Sequence, residues 1–366
     1  MSAQHIEHKE PLLRLAKRDD IARPKAWAIR AAAILLALVT GGLIILALGH
    51  SPIEVYGSMI GGSLSKGRAL RETVKKAIPL LGTALAIAPA FKMKFWNIGA
   101  EGQILAGAIA ASYFALFWAE RLPKTVLLVV MAAAAVIAGG LWGLIPAAFK
   151  ARWGTNETLF TLMLNYIVLG FVKYLQAGPW GPDLNPNGYP KIPMFAEAAL
   201  LPKALGVHIG WILVLALTVL MFVYLNYSKH GYEIAVVGES VRTAQYAGMD
   251  VPAIVRRTMF LSGGIAGLMG FLQVSGASGS LTENTAGGIG FTAITVAWLA
   301  KLDPFVMIAI AALLAVLEKG ADTIQTIYTI PASAAEMLTG IILFFMLGCE
   351  FFINYRVILR GKGARK

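Results

Sequence analysis

The sequence predicts an all-α polytopic membrane protein with about ten transmembrane helices, within a range of nine to eleven. Three observations predict it. Hydrophobic residues fill 57% of the 366 positions and charged residues only 14%, with a mean hydropathy of +0.68, whereas a soluble domain would carry nearer a quarter charged residues. Apolar runs recur along the whole chain, many of them long enough to cross a hydrocarbon core. Short basic segments separate those runs, and the excess of Lys and Arg falls on alternate loops, as it does where basic residues hold cytoplasmic ends in place. The same pattern accounts for a net charge of +12, so no nucleic-acid partner is expected.

Residues 1–26 are polar and basic and read as a cytoplasmic tail. The run 27–48, with Arg30 near its inner end, is too long for a signal peptide and has no small-residue cleavage site before His50, so it is the first span. Residues 52–76 are mixed. Arg68, Arg71, Lys75 and Lys76 fall outside there, against the charge rule, and an amphipathic or partly re-entrant helix before Pro79 would reconcile them. A short second span, 77–90, is closed by Lys92 and Lys94, and a third starts at Phe95 and runs to 118. The run 126–148 returns to Lys150 and Arg152. Thr155 or Asn156 can cap the next helix, 159–175, with Glu157 favouring its first turn. Turn-rich residues 180–190 open a long outside loop, an ordered rim, that ends near His208. Beyond it lie a span at 209–225, a polar interval at 226–257 and an outward span at 258–274. The Gly-, Ser- and Thr-rich stretch 275–290 is too polar for a lipid-facing helix. Two short runs, 289–299 and 305–317, are interrupted by Lys301-Leu302-Asp303-Pro304, as in transporters whose broken helices line a pathway. Residues 318–331 are expected outside, and 335–352 returns to a basic tail, 356–366, with both termini cytoplasmic. The membrane domain is thus 27–355.

Two stretches carry candidate function. In the interval 226–257, Ser240 to Ala247 reads as a short helix that Ser240 caps and Gly248 ends. Its charge and place between spans suit a docking surface, the plainer alternative being a connector resting on lipid. Within the spans, Asn97, Glu101, Gln103, Asn165 and Lys173 are costly unless they face protein or water. A solute path would use them, and so would interhelical hydrogen bonds. Walker A, His-Glu-x-x-His and Gly-x-Ser-x-Gly patterns are missing, so an ATP-driven pump would need another subunit to bind nucleotide. Gly287-Gly288-Ile289-Gly290 has no preceding strand to make it a dinucleotide loop. One cysteine, Cys349, and five scattered histidines provide neither a disulfide nor a metal site, and no cofactor is expected.

Three stretches then carry a resemblance: Asn97-Ile98-Gly99-Ala100-Glu101-Gly102-Gln103; Thr155-Asn156-Glu157-Thr158 through Met163-Leu164-Asn165-Tyr166; and Gly238-Glu239 with Ala247-Gly248-Met249. Over roughly residues 28–355 the chain resembles permease subunits of bacterial ATP-binding cassette (ABC) importers of the ribose, simple-sugar and nucleoside branch, most of all the longer permease of nucleoside-type systems. The resemblance implies a non-catalytic subunit of the bacterial inner membrane, partnered by two ATPases, a second homologous permease and a solute-binding protein. It implies a translocation pathway at Asn97, Glu101, Gln103 and Asn165, and a coupling helix with Glu239, Ser240, Arg242, Tyr246 and Gly248 against the ATPase. Where relatives commonly have a proline before that helix, this chain reads Gly238-Glu239-Ser240-Val241. Nucleosides are the expected cargo, with simple sugars second. An ion-coupled carrier, a membrane-embedded enzyme or a scaffold would be the alternative classes.

Overall fold

The computed structural model describes residues 13–17, 22–65, 67–185 and 188–359, so most of the two expected tails lies outside the described residues. After strand β1 (Leu13–Lys17) come α1 (Arg23–Ala47), α2 (Pro52–Leu64), α3 (Arg68–Lys92), α4 (Ala100–Phe117), α5 (Lys124–Trp153) and α6 (Glu157–Ala177). Two short strands, β2 (Lys203–Ala204) and β3 (Val207–His208), precede α7 (Gly210–Tyr227), α8 (Lys229–Glu239), α9 (Val241–Tyr246) and α10 (Val251–Leu272). A π-helical turn, Gln273–Ser278, extends α10. Then follow α11 (Ile289–Leu299), α12 (Pro304–Tyr328), α13 (Ala332–Asn354) and β4 (Tyr355–Leu359). Among the described residues nine helices are long and apolar enough to cross a membrane, and α11 is the one shorter apolar helix of at least ten residues. At 1.5 Å per residue its 11 residues reach about 16 Å, half a bilayer core.

Three boundaries differ from expectation. The third span does not start at Phe95: residues 95–99 are irregular, and α4 opens at Ala100. The mixed segment 52–76 divides between α2 and the first turns of α3, and its Arg68, Arg71, Lys75 and Lys76 all fall on α3, where Lys75 pairs with Glu72 and Lys76 with Asp322, both at 3.0 Å. Residues 318–328, expected outside, continue α12. Hydropathy alone ended that run at its first charge, but no proline or glycine pair breaks the backbone there. Asp303 sets the helix start by accepting from Phe305 N (2.9 Å) and Val306 N (3.1 Å), so Pro304 falls where no N–H is needed.

The chain forms two compact units. In the first, Met1–Gly57 with Ile324–Lys366, α1 packs on α13 with an Arg30–Glu350 ion pair at 2.8 Å, and β1 pairs antiparallel with β4. In the second, Ser58–Thr323, α3, α4 and α10 are the most enclosed helices, and α10 lies against both α4 and α5.

Glycines set that approach. A Cβ on Gly267 of α10 would lie 2.2 Å from Ala135 O, and one on Gly107 of α4 would lie 2.4 Å from the Gly267 backbone. Backbone meets backbone there, as small residues permit between membrane helices. Gly267→Val should therefore cost more than about 3 kcal/mol, since the clash is with main chain that cannot rotate away. Gly170→Val, with open space around its Cβ, should be neutral. Detergent-solubilised yield and melting temperature of both variants check this.

Candidate functional site

The four polar residues expected along a pathway gather at the start of α4. Asn97 and Gln103 are 0% and 1% exposed and exchange two amide hydrogen bonds, each 3.1 Å. Asn97 Nδ2 also donates to Ser262 Oγ on α10 (3.1 Å), and Asn97 Oδ1 accepts from Gly99 N (3.0 Å). Asn165 on α6 reaches across: its Oδ1 accepts from Gly102 N (2.9 Å) and its Nδ2 donates to Ile98 O (3.0 Å). The bend at 95–99 is thereby tied to α6 through the Ile98 carbonyl and to α10 through the Asn97 side chain. Gly102 allows this, because a Cβ there would sit 2.7 Å from Asn165 Oδ1.

Glu101 points elsewhere. Its two carboxylate oxygens accept from Gly288 N (2.7 Å) and Gly290 N (2.6 Å), the first free donors of α11. A negative charge at a helix N-terminus satisfies orphan N–H groups and the positive end of the helix dipole together. Gly288 has φ +82°, and a Cβ on Gly290 would meet Glu101 N at 2.4 Å. The glycines that superficially suggested a nucleotide loop are thus the socket for this carboxylate. Lys173, on α6, pairs with Glu283 at 3.3 Å.

The interval 226–257 folds as α8, α9 and the first turns of α10 and is anchored rather than adrift. Ile234, Val237 and Ala244 are buried in one cluster with Ala90, Met93, Phe95 and Ala147, and the Gly238 backbone closes on Lys92 O. Ser240 caps α9 by accepting from Thr243 N (3.2 Å), and Gly248 takes the left-handed conformation at φ +75°. Glu239 ends α8. Arg242 and Gly248 are exposed, and Tyr246 is 93% exposed. A cleft of about 470 Å³ beside α9 is lined by Lys94, Lys150, Glu157, Glu239 and Gln245 among others. Of the two candidate caps before α6, Asn156 does the work, accepting from Leu159 N (3.2 Å), while Glu157 pairs with Lys150 at 2.8 Å.

Residues 70–347 match the family model described as branched-chain amino acid transport system / permease component. The chain belongs to this family. It is 32% identical over 359 residues to the glucose ABC transporter permease protein TsgB13 of Haloferax volcanii, covering 94% of this chain and 93% of that one. It is 30% identical to the guanosine ABC transporter permease protein NupP of Bacillus subtilis (91% and 96% covered) and 30% identical to the nucleoside ABC transporter permease protein NupB of Lactococcus lactis (86% and 88% covered). The protein is the membrane-spanning permease subunit of an ABC importer, non-catalytic, with ATP hydrolysis in separate subunits.

Sequence reading missed Ser262, Gly288 and Gly290 as partners of the polar cluster, and it passed over His208. The imidazole of this buried residue is pushed down to about 4, first by burial and then by the charge of Lys75. Because the folded value lies below the ordinary 6.5, the unfolded chain takes the proton more readily. The contribution is whole above about pH 6.5 and is lost as pH falls to about 4, by up to about 3 kcal/mol. Melting temperature of wild type should drop across that window more than that of His208→Phe; parallel curves would refute the assignment.

Glu101→Gln should loosen α11, since the amide faces one backbone N–H with another N–H. We expect a loss of about 1–3 kcal/mol and faster deuterium exchange at Gly288 and Gly290, with exchange in α5 unchanged.

Proposed function

We propose that this permease carries nucleosides across the bacterial inner membrane, with both termini cytoplasmic, in a complex with a second permease of the same fold, two ATPases and a solute-binding protein. The similarity to guanosine and nucleoside permeases over most of the chain carries the cargo reading. Simple sugars are the second reading, favoured by the similarity to a glucose permease over 94% of the chain. Uptake of labelled guanosine, inosine, ribose and glucose by the whole transporter decides between them. Transport of glucose or ribose without any nucleoside overturns the first reading.

In this reading α9 is the coupling helix. Closure of the ATPases presses on Arg242, Gln245 and the exposed ring of Tyr246, and the apolar cluster beneath Ala244 passes the displacement to α10 and the end of α3. Asn97, Gln103 and Asn165 belong to the pathway by fixing the bend that opens α4, and Glu101 by holding α11, rather than by offering free polar groups. Polar contacts to the cargo stay weak, because a tight site would retain it.

Tyr246→Asp should reduce ATPase co-purification about tenfold or more by burying a charge at the contact. Gly248→Val should do so by forbidding the left-handed turn. Normal abundance with full association and full solute-stimulated ATP hydrolysis in both variants would remove α9 from this role and leave the 149–157 segment as the next candidate.

A further inference from the structure

At the end of α7 and α10 remote from α9, the chain keeps two polar side chains buried without partners. His208 and Ser275 are each 2% exposed. Among the described residues, neither ring nitrogen of His208 nor the Ser275 hydroxyl makes a hydrogen bond. Unpaired buried polar atoms are rare in folded proteins and cost about 1–3 kcal/mol each. Neighbouring groups are not left so. Gln273 Nε2 donates to Thr285 O (3.3 Å), Ser278 Oγ donates to Ser280 O (2.7 Å), and Thr282 N donates to Thr285 Oγ1 (2.9 Å).

The imidazole is seated by construction. A Cβ on Gly276 would fall 2.6 Å from its ring, and so would one on Gly210, so two separate elements omit a side chain to admit it. Gly276 and Ser275 belong to the π-helical turn, a widened backbone form that occurs frequently at functional sites. The loop before α7 is stitched over this turn by Leu201 N to Ser275 O (3.0 Å) and Phe195 N to Gly279 O (2.8 Å). The other unpaired buried side-chain atoms among the described residues, on Thr83, Trp142, Thr155 and Gln176, number one per residue; His208 contributes both its nitrogens.

We propose that His208 and Ser275 form a subsite for the hydroxyl groups of the transported solute, exposed when the stitched loop lifts from the π-helical turn. A neutral imidazole offers one donor and one acceptor, and a serine hydroxyl offers both functions, which together match a vicinal diol. Sugars and the ribose of nucleosides share that diol, so the subsite holds for either cargo. It rests on the reading of a hydroxyl-rich solute.

The test measures uptake of guanosine and of 2′,3′-dideoxyguanosine by the whole transporter, with glucose and its deoxy analogues as the parallel pair. Variants are Ser275→Ala, His208→Phe and His208→Asn at matched membrane abundance. Wild type should favour the diol over the dideoxy compound by about tenfold in apparent KM. Ser275→Ala and His208→Phe should each bring that ratio close to one, and His208→Asn, which keeps a donor and an acceptor, should restore part of it. Should His208→Phe fail to accumulate, Ser275→Ala, which removes a single oxygen, decides the matter. Unchanged ratios with normal uptake overturn the subsite and leave the cargo reading standing. Wild-type uptake of neither cargo overturns the cargo reading, and the subsite with it.

Discussion

Everything else in the larger unit depends on main chain meeting main chain where α10 crosses α4 and α5. In lipid no hydrophobic effect drives one apolar helix onto another, so close approach and van der Waals contact supply the attraction. Gly107, Gly139, Gly263 and Gly267 make the crossing possible by offering no side chain at the points of contact. The result is a rigid block: helices that touch through backbone have no rotamers to exchange, and displacement of one is displacement of the others.

The polar residues use that block instead of opposing it. Asn97, Gln103 and Ser262 are buried side chains from the bend and two crossing helices; Gln103 meets Asn97 locally, and the crossing brings Ser262 to the pair. Removing any of them would strand the others in a medium where water cannot substitute. Glu101 extends the same logic outward. It gives α11, too short to span and so dependent on neighbours, a fixed N-terminus made from a helix that already belongs to the block. Buried polarity here specifies geometry.

Local signals in the chain were legible in proportion to how local their chemistry is. The Ser240 cap, the Gly248 stop and the cap before α6 each involve atoms within a few residues, and sequence reading placed them. The apolar runs marked the order of the spans and bracketed their number, about ten expected against nine long enough to cross among the described residues, because lipid solvation acts on each run separately. What sequence could not supply was pairing at a distance. Glu101 and Gly288 are 187 residues apart, and Asn97 and Ser262 are 165 apart, so the sequence left a solute path and an interhelical hydrogen bond both open for these residues and could not name the partner. Helix ends at α3 and α12 escaped for a related reason. Lys76 and Glu318 bound the apolar runs, yet a charged side chain does not interrupt backbone hydrogen bonds, and both helices run on through Lys75, Lys76 and Asp322, which are paired.

The placement of α9 decides how a push on it must travel. Its six residues include one buried side chain, Ala244, while the others project outward. A load on the exposed face therefore enters through the backbone and Ala244, into the cluster that contains Ile254 and Met259 of α10, Met93 at the end of α3 and Phe95 of the bend. α10 then carries it into the glycine crossing, and the bend carries it two residues further, to Asn97. Both branches reach α4, one through backbone contact and one through the amide pair. From α4 the Glu101 carboxylate is the connection to the N-terminus of α11, a helix with half the length of a span. A short helix held at its start by a carboxylate is fixed to the neighbour that carries it, so α9 and α11 stand at the two ends of one continuous chain of contacts.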